Sequence, residues 1–384
     1  MAAQMTHRER VLTALAHKEP DRVPIDLGST RDSSVHVDGH ARLRQHFGLA
    51  GGEDILTDRM MRPVVVDERI LRRLDVDTRG LFLGDPENSR DTMLGPTRWR
   101  DEWGVEREMP PGSLYYDLVR SPLAGEVTIQ DIVNYPWPDP EDPGRYRGLV
   151  ERAKELRANT DCAIVLNSAS GFVHVSQYLR GFQDWFTDLL LDPNLAVALM
   201  DAICEINMAI ATKALSLVRD YVDIVLTGDD VGHQNGPLVS PELYRKLIKP
   251  GHKRYFDMVN SLTDAKVLYH SCGDVYPFIP DFIEMGIDVL NPIQVSAAEM
   301  DPARLKKEYG DEMAFWGGVD SFRVLPFGTV EDVQREVELR IQQMAHGGGY
   351  IVNAVHNIQP DVPSENIVAM FDHAREYGRY PLPR

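Results

Sequence analysis

The chain has 384 residues, of which 43% are hydrophobic and 26% are charged. This balance is typical of a globular protein with a large apolar core. The formal net charge of −18 disfavours nucleic acid and anionic membranes as partners, because a field of that sign repels phosphate. We expect no membrane span, since no wholly apolar run approaches about 18 residues, and residues 1–22 lack a signal-peptide core. The expected location is therefore the cytoplasm.

Three cysteines occur in the chain, namely Cys162, Cys204 and Cys272. An odd and sparse set argues against a disulfide framework. Cys162 opens an apolar run and Cys204 lies in a helical stretch, which are common positions for buried, inert thiols. A cysteine with a special role in this chain is expected to be metal-bound or reactive.

Short β-branched runs alternate with amphipathic helical segments from about residue 160 onward. This alternation predicts repeated βα units around a parallel sheet. With one more run near the start, seven strands are accounted for, and we expect the eighth between residues 60 and 160. The predicted strands are 22–27, 162–167, 221–228, 266–271, 288–293, 313–318 and 349–354.

The stretch 76–148 is rich in Pro, Gly, Asp and Trp and has little periodicity. We interpret it as an elaborated insertion within one domain that spans residues 1–384. Alternation over residues 97–109 predicts a β-hairpin with residues 102–105 at its turn. A long insertion of this kind commonly forms a lid or an interface.

The sharpest chemical signal lies at the end of the predicted strand 266–271. His270 and Cys272 are two residues apart, so their side chains point the same way. A thiolate and an imidazole are good zinc ligands, although a catalytic zinc site needs a third protein ligand. His356 ends the last predicted strand, which can reach the others in a closed barrel. A zinc site with one open position is therefore predicted, with a hydrogen-bonded loop histidine as the alternative for His356.

Other polar residues follow the predicted strands, where barrel active sites are built. The adjacent carboxylates of Asp229 and Asp230 point to opposite sides, and one of them can orient a ligand or act as a general base. His174 and Tyr178 lie one helical turn apart and face the same side. For the residues at strand ends the alternative is a polar strand end at the solvent boundary, and Tyr178 is either a core or a pocket residue. The residues predicted to position a substrate are Asn167, His174, Gln234, Asn291 and Gln294.

An ordered series of segments resembles the uroporphyrinogen decarboxylase superfamily over most of the chain. THRERVLTALAHKEPDRVPID is similar to the family's N-terminal helix and first strand, and SGFVHVSQYLRGF is similar to the segment that carries its active-site tyrosine, here Tyr178. GDDVGHQNGPLVSPELY, YHSCGD, WGGVDS and HNIQPDVPSENI follow in the expected order. The resemblance implies a (β/α)8 TIM barrel with an N-terminal helical extension.

The chain departs from true decarboxylases in the segment after the first strand. Decarboxylases carry several arginines there to hold the carboxylates of a tetrapyrrole, whereas DLGSTRDSSVH contains only Arg31. Without those arginines, a polycarboxylate would lack charge-assisted pairing. This segment favours a resemblance to the superfamily's corrinoid-linked methyltransferases.

In those methyltransferases, zinc is held by an HxC pair and a later cysteine. His270 and Cys272 match the pair, and His356 stands where the later cysteine is found. The resemblance implies zinc-dependent methyl transfer between a small methylated or methoxylated compound and a corrinoid (cobalamin) carried by a separate corrinoid protein, with catalytic roles for Asp229, Asp230 and Tyr178. Alternatives are a metal-independent decarboxylase that uses Asp58, Tyr178 and His356, or a non-catalytic partner of a corrinoid protein. The oligomeric state is left open, with a homodimer as one option.

Overall fold

The computed structural model describes residues 4–88 and 91–383. Its strands form one parallel sheet and two smaller antiparallel sheets. In chain order the strands are β1 Thr78–Phe82, β2 Thr92–Met93, β3 Arg98–Arg100, β4 Glu106–Glu108, β5 Asp117–Arg120, β6 Ala163–Asn167, β7 Ile224–Gly228, β8 Gly232–His233, β9 Gly236–Pro237, β10 Lys266–His270, β11 Val289–Asn291, β12 Ala314–Trp316 and β13 Tyr350–Ile351.

Helices follow most of the long strands and cover the outside of the parallel sheet. In chain order they are α1 His7–Leu15, α2 Val37–His46, α3 Glu68–Leu74, α4 Ile129–Val133, α5 Leu149–Asn159, α6 Phe172–Arg180, α7 Phe182–Leu191, α8 Pro193–Val218, α9 Pro241–Leu243, α10 Lys249–Leu262, α11 Ile279–Glu284, α12 Pro302–Tyr309, α13 Val324–Phe327, α14 Val330–Met344 and α15 Ser364–Tyr377. A π-helical stretch, Tyr244–Ile248, joins α9 to α10, and 3₁₀ turns occupy Arg31–Ser33, Pro143–Tyr146 and Tyr276–Phe278.

Seven parallel strands in the order β1-β6-β7-β10-β11-β12-β13 form the barrel wall. The predicted first strand, residues 22–27, closes this wall without being a regular strand. The N–H of Asp26 donates to the carbonyl of Val352 just after β13, and the N–H of Asp77 just before β1 donates to the carbonyl of Ile25, both at 3.0 Å. The predicted (β/α)8 barrel is confirmed.

The eighth strand sought between residues 60 and 160 is β1, Thr78–Phe82. It lies inside the stretch 76–148, so the first residues of that stretch belong to the barrel wall and not to the insertion. Every predicted run from residue 162 onward contains an observed strand, although each observed strand is shorter. Side chains that end these runs therefore lie in loops at the carboxyl edge of the sheet.

Apolar side chains form two layers, one on the inner face and one on the outer face of the barrel wall. The inner layer consists of every second residue of the strands, for example Val165, Leu268 and Trp316. This follows because successive side chains of a strand point to opposite faces. Val11 and Leu15 of the N-terminal helix α1 belong to the same inner cluster. The predicted N-terminal extension thus packs against the barrel interior, and its first turn is fixed by a capping box between Thr6 and Glu9.

The predicted hairpin is confirmed as β3 and β4, which pair antiparallel with Trp99 opposite Arg107. They form a four-stranded sheet with β2 and β5. Glu106, in the middle of this sheet, forms ion pairs with Arg98, Arg100 and Arg120. Trp99 and Arg107 line the cavity at the barrel mouth, so the inserted sheet covers the carboxyl edge of the barrel.

Helix α8 is more apolar than the sequence analysis recognised, but it does not contradict the expectation of no membrane span. Its 26 residues include a window with a mean hydropathy of 1.6, so by length and composition alone it could cross a membrane. Half of that window is buried inside the protein, and α8 packs against α6, α7 and α10. Sequence inspection missed this because three charged residues interrupt an otherwise apolar stretch, and the packing is that of a core helix.

Candidate metal and substrate site

A cavity of about 460 Å³ opens between the barrel mouth and the inserted sheet. This size suits a small organic molecule. Strand ends supply the residues at its base, and the loop around residue 58 and the inserted sheet supply its walls. Among the predicted site residues, the cavity is lined by Asp58, His174, Tyr178, Asp229, Asp230, His270 and His356.

The three predicted metal ligands come together at the base of this cavity. His270 ends β10, Cys272 follows it, and His356 lies in the loop after β13. Their potential ligand atoms all lie within 4.8 Å of one another. The Sγ atom of Cys272 is 3.4 Å from Nε2 of His270, and the two imidazole rings meet edge to face at 5.5 Å.

Each imidazole of this trio is oriented by an asparagine. Nδ1 of His270 lies 2.6 Å from Oδ1 of Asn291, and Nδ1 of His356 is hydrogen-bonded to Oδ1 of Asn357. Because an amide oxygen only accepts, each Nδ1 donates its proton to the asparagine, which leaves each Nε2 as the nitrogen that can bind a metal ion. This is the arrangement that metal-binding histidines usually have.

The trio fits a tetrahedral zinc ion. Bonds of about 2.3 Å to sulfur and 2.0 Å to nitrogen at a tetrahedral angle place the two ligand atoms about 3.5 Å apart, close to the 3.4 Å between Cys272 and His270. Burial, together with Asp230 and Asp32, raises the pKa of the Cys272 thiol. Despite that raised pKa, the spacing of the trio lets it hold zinc through one sulfur and two nitrogens, with a fourth position open, and metal binding would release the thiol proton.

Asp32 also lies at this trio, and sequence reasoning missed it. Its carboxylate oxygens are 3.8 Å from Nδ1 of His270 and 3.9 Å from Nε2 of His356. Burial raises the pKa of Asp32, but its electrostatic interactions with His270, Arg31 and His356 outweigh burial and hold the pKa below its ordinary value. The only sequence signal was its place after the first strand, beside Arg31.

The carboxylate of Asp229 caps the N-terminus of helix α6. Its carboxylate accepts the backbone N–H groups of Val173 and His174 at 2.7 and 3.0 Å, the imidazole of His174 at 2.8 Å and that of His252 at 3.3 Å. Burial raises the pKa of Asp229, but these hydrogen bonds outweigh it and the pKa lies well below its usual range. The carboxylate is therefore ionised and positions His174.

His174 turns its other ring nitrogen, Nε2, away from Asp229, and the residue lines the cavity. Burial lowers the pKa of His174, but the hydrogen bond and charge of Asp229 outweigh it, so the pKa is raised. A protonated imidazole beside a cavity can donate a proton to a bound molecule. His174 was predicted to bind substrate, and the geometry adds this proton-donating capacity.

Asp230 and Tyr178 line the same cavity as His174. Asp230, on the opposite side of the chain from Asp229, accepts the backbone N–H of Cys272 at 2.8 Å and so fixes the loop that carries the thiol. The ring of Tyr178 lies 5.9 Å from that of His174 and carries the guanidinium of Arg107 over its face at 4.7 Å. Burial raises the pKa of Tyr178, so its hydroxyl is a proton donor at neutral pH.

Four residues predicted to position a substrate make hydrogen bonds within the protein instead of lining the cavity, and one of them, Asn291, does so with His270 and Trp316. Asn167 donates to the carbonyl of Ser29 at 2.9 Å and accepts the N–H of Arg31 at 3.3 Å. Gln294 accepts the N–H of Gly273 at 2.7 Å and donates to Gln234 at 3.1 Å. These contacts of Asn167 and Gln294 hold the loops that carry Asp32 and Cys272. Substrate contact stays a prediction for Asn167, Gln234, Asn291 and Gln294.

Acidic residues outnumber basic ones around the cavity. Of the residues that the structure describes, eight carboxylates and three arginines line it. Two of the arginines are already paired, Arg59 with Asp91 at 3.0 Å and Arg107 with Asp101 at 2.5 Å. Such a lining is unfavourable for a substrate with many carboxylates.

A second group of potential ligands lies at the opposite end of the barrel. It contains His7, Asp161 and Cys162. Both ring nitrogens of His7 are hydrogen-bonded to carboxylates, Nδ1 to Asp161 at 2.8 Å and Nε2 to Asp75 at 3.0 Å. No lone pair of that imidazole is free for a metal, so this group is an ion-pair cluster. Cys162 and Cys204 are buried, as predicted.

A family model described as uroporphyrinogen decarboxylase (URO-D) matches residues 115–377. The chain belongs to the uroporphyrinogen decarboxylase family. The resemblance inferred from the ordered segments is thus confirmed, and the chain falls in a family of enzymes.

Relatives in this family align over nearly the whole chain. The uroporphyrinogen decarboxylase of Alkalilimnicola ehrlichii is 22% identical over 382 residues, covering 95% of this chain and 92% of its own. That of Citrifermentans bemidjiense is 23% identical over 381 residues, covering 96% and 99%. That of Rickettsia africae is 31% identical over 143 residues, which are 37% of this chain and 39% of its own.

A solved structure has the same fold over the same length. The methyltransferase from Methanosarcina mazei aligns with a TM-score of 0.67 and 20% sequence identity, covering 97% of this chain and 99% of its own. The barrel and its additions are therefore shared with a methyltransferase of known structure.

Proposed function

We propose that this family member is a zinc-dependent methyltransferase, which moves a methyl group between a small methylated or methoxylated compound and a corrinoid carried by a partner protein. The observation that carries the proposal is the trio of His270, Cys272 and His356. Two imidazoles oriented through Nδ1 and one thiol converge on a shared point at the base of the cavity. Decarboxylation without metal gives no reason for that convergence.

Zinc at this trio would act as a Lewis acid on the heteroatom that carries or receives the methyl group. In the demethylation direction, the carbon–heteroatom bond would break with its electron pair left on the heteroatom, and the methyl group would pass to Co(I) of the corrinoid, which would supply the electron pair of the new bond. The heteroatom then needs a proton. His174, protonated and held by Asp229, is the residue placed to supply it.

The remaining cavity residues position and shield the substrate. Tyr178 presents a phenolic hydroxyl whose raised pKa keeps it protonated, and the inserted sheet limits access of water from above. Asp230 holds the loop of Cys272 through its backbone N–H. Among the residues that the structure describes, Arg31 is the one cavity arginine without an ion pair. A substrate with no more than one carboxylate is therefore favoured.

The metal-independent decarboxylase remains the second candidate, because Asp58, Tyr178 and His356 all line the same cavity. The names of the aligned relatives support it. The excess of carboxylates around the cavity opposes it for a polyanionic tetrapyrrole. A non-catalytic role would be favoured by a dry, apolar mouth, and the cavity is instead lined by charged side chains.

A cob(I)alamin methylation screen tests the proposal. The purified protein is loaded with zinc and mixed with cob(I)alamin and methoxylated aromatics, methylamines or methyl thioethers, and cobalt methylation is followed by absorbance. We expect methylation with at least one donor class and its loss in His270→Ala and Cys272→Ala, with activity retained in Cys162→Ala. Release of carbon dioxide from uroporphyrinogen without cobalt methylation would favour the second candidate.

A further inference from the structure

We propose that Asp32 is the fourth zinc ligand in the absence of substrate, and that it gives up its position when a substrate heteroatom binds. The inference rests on the proposed function, because it concerns the same metal site. It starts from a carboxylate that faces the imidazoles of His270 and His356 at 3.8 and 3.9 Å. A His–Cys–His trio alone would leave that position to water.

Asp32 has no other partner to explain its burial. Its side chain is 11% exposed, and no described residue donates a hydrogen bond to its carboxylate. A buried anion without donors is unfavourable unless a cation lies nearby. Nδ1 of His270 donates to Asn291 and Nδ1 of His356 donates to Asn357, so neither of these protons is directed at Asp32. A metal cation bound by the carboxylate of Asp32, the thiolate of Cys272 and the two imidazoles would give each of these buried groups a partner.

The loop that carries Asp32 is fixed in place. Asp32 lies in the 3₁₀ turn Arg31–Ser33, which is closed by a capping box between Thr30 and Ser33. Asn167 at the end of β6 ties this turn to the barrel through Ser29 and Arg31. The carboxylate is therefore held beside the trio by the barrel wall and is not carried there by a free loop.

The distances suit a ligand that binds and leaves. Two oxygen or nitrogen ligands of tetrahedral zinc lie about 3.3 Å apart, and Oδ1 of Asp32 is 3.9 Å from Nε2 of His356. Asp32 is not among the ligand atoms that lie within 4.8 Å of one another, and its contact with His270 is to Nδ1, so its side chain must turn toward the trio to bind the metal. With Asp32 bound, the two anionic ligands neutralise the dication, and a neutral heteroatom that displaces Asp32 meets a more strongly Lewis-acidic centre.

Cobalt substitution tests this with a readout other than turnover. Co²⁺ replaces zinc in the full-length protein, its affinity is measured by competition with a chromophoric chelator, and imidazole is titrated while the visible cobalt bands are recorded. Imidazole is neutral, so its affinity reports a vacant position and not the loss of a charge. Asp32→Ala and the isosteric Asp32→Asn are compared with Asp85→Asn, which removes an exposed carboxylate from the same cavity.

We expect Asp32→Ala and Asp32→Asn to bind Co²⁺ about 10- to 100-fold more weakly and imidazole at least tenfold more tightly than the wild type, with Asp85→Asn unchanged. Equal imidazole affinity in the wild type and both Asp32 variants would overturn the inference about Asp32. It would not contradict zinc binding by His270, Cys272 and His356. Failure of the wild type to bind Co²⁺ or Zn²⁺ would overturn the proposed function and this inference together.

Discussion

Nδ1 of His174 lies 2.8 Å from Oδ1 of Asp229, and the same carboxylate accepts the first free N–H groups of helix α6. One buried anion therefore fixes the helix start and the tautomer of the cavity histidine together. Because Asp229 holds the pKa of His174 above its ordinary value against burial, Asp229→Asn lowers that pKa.

This shift gives the first prediction. If protonated His174 supplies the proton, kcat/KM falls as the pH rises through the pKa of His174. In Asp229→Asn we expect this falling limb to move to lower pH, whereas His174→Gln loses the limb. The measurement is the pH profile of cobalt methylation. A profile that keeps its limb in Asp229→Asn, with only a lower Tm, would assign Asp229 to the helix start alone.

Asn291 and His270 give the second prediction. Besides accepting from His270 at 2.6 Å, Asn291 donates to the carbonyl of Trp316 at 3.0 Å, so its orientation is fixed. Asn291→Leu removes the acceptor and leaves the imidazole free to turn. We expect zinc affinity to fall about 10- to 100-fold, and to be largely retained in Asn291→Asp, which keeps an oxygen at this place. Competition with a zinc chelator measures both.

Equal zinc affinity in Asn291→Leu and the wild type would show that His270 does not depend on Asn291 for its orientation. Thermal unfolding of the metal-free proteins serves as the control, because Asn291 is buried and its replacement also affects packing.

His7 gives the third prediction, on stability. Its hydrogen bond to Asp75 is the main reason that its pKa is raised; burial opposes the shift, and Asp161 adds to it. A group with a raised folded pKa stabilises the protein fully below its unfolded pKa of about 6.5 and loses this contribution as the pH rises through the folded value. The difference in unfolding free energy between the wild type and His7→Gln should therefore shrink as the pH rises above about 6.5.

Urea unfolding at a series of pH values from about 6 to 9 measures this difference around the ordinary histidine pKa. His346→Gln is the matched control, because His346 is exposed. A difference for His7→Gln that is constant over this range would contradict the assignment of a titrating ion-pair cluster at the start of α1.

The fold was predictable wherever its signals were local. The strands from residue 162 onward are apolar runs followed by turn residues, and these could be recognised without any partner. β1 was not recognised, because Thr78–Phe82 is short, contains a glycine and precedes a stretch rich in proline. Residues 22–27 close the barrel through hydrogen bonds with Val352 and Asp77. These partners are distant in the sequence, so the pattern of residues 22–27 alone could not predict them.

The site residues, too, were predictable only where a local pattern determines their position. The side chains of His270 and Cys272 could be placed together because a strand has a two-residue period, and His356 followed from the closure of a barrel. Asp32 could not be placed, because its position depends on a 3₁₀ turn that Asn167 holds from another strand. The sequence also placed Asp229 in the site without indicating that its carboxylate is occupied by the start of α6.

The most direct test of the zinc centre is X-ray absorption at the zinc edge of the zinc-loaded protein. We predict one sulfur neighbour at about 2.3 Å and nitrogen or oxygen neighbours at about 2.0 Å, with the sulfur shell lost in Cys272→Ser and kept in Cys162→Ser. A wild-type spectrum without sulfur, or a Cys272→Ser spectrum identical to that of the wild type, would contradict zinc binding by His270, Cys272 and His356.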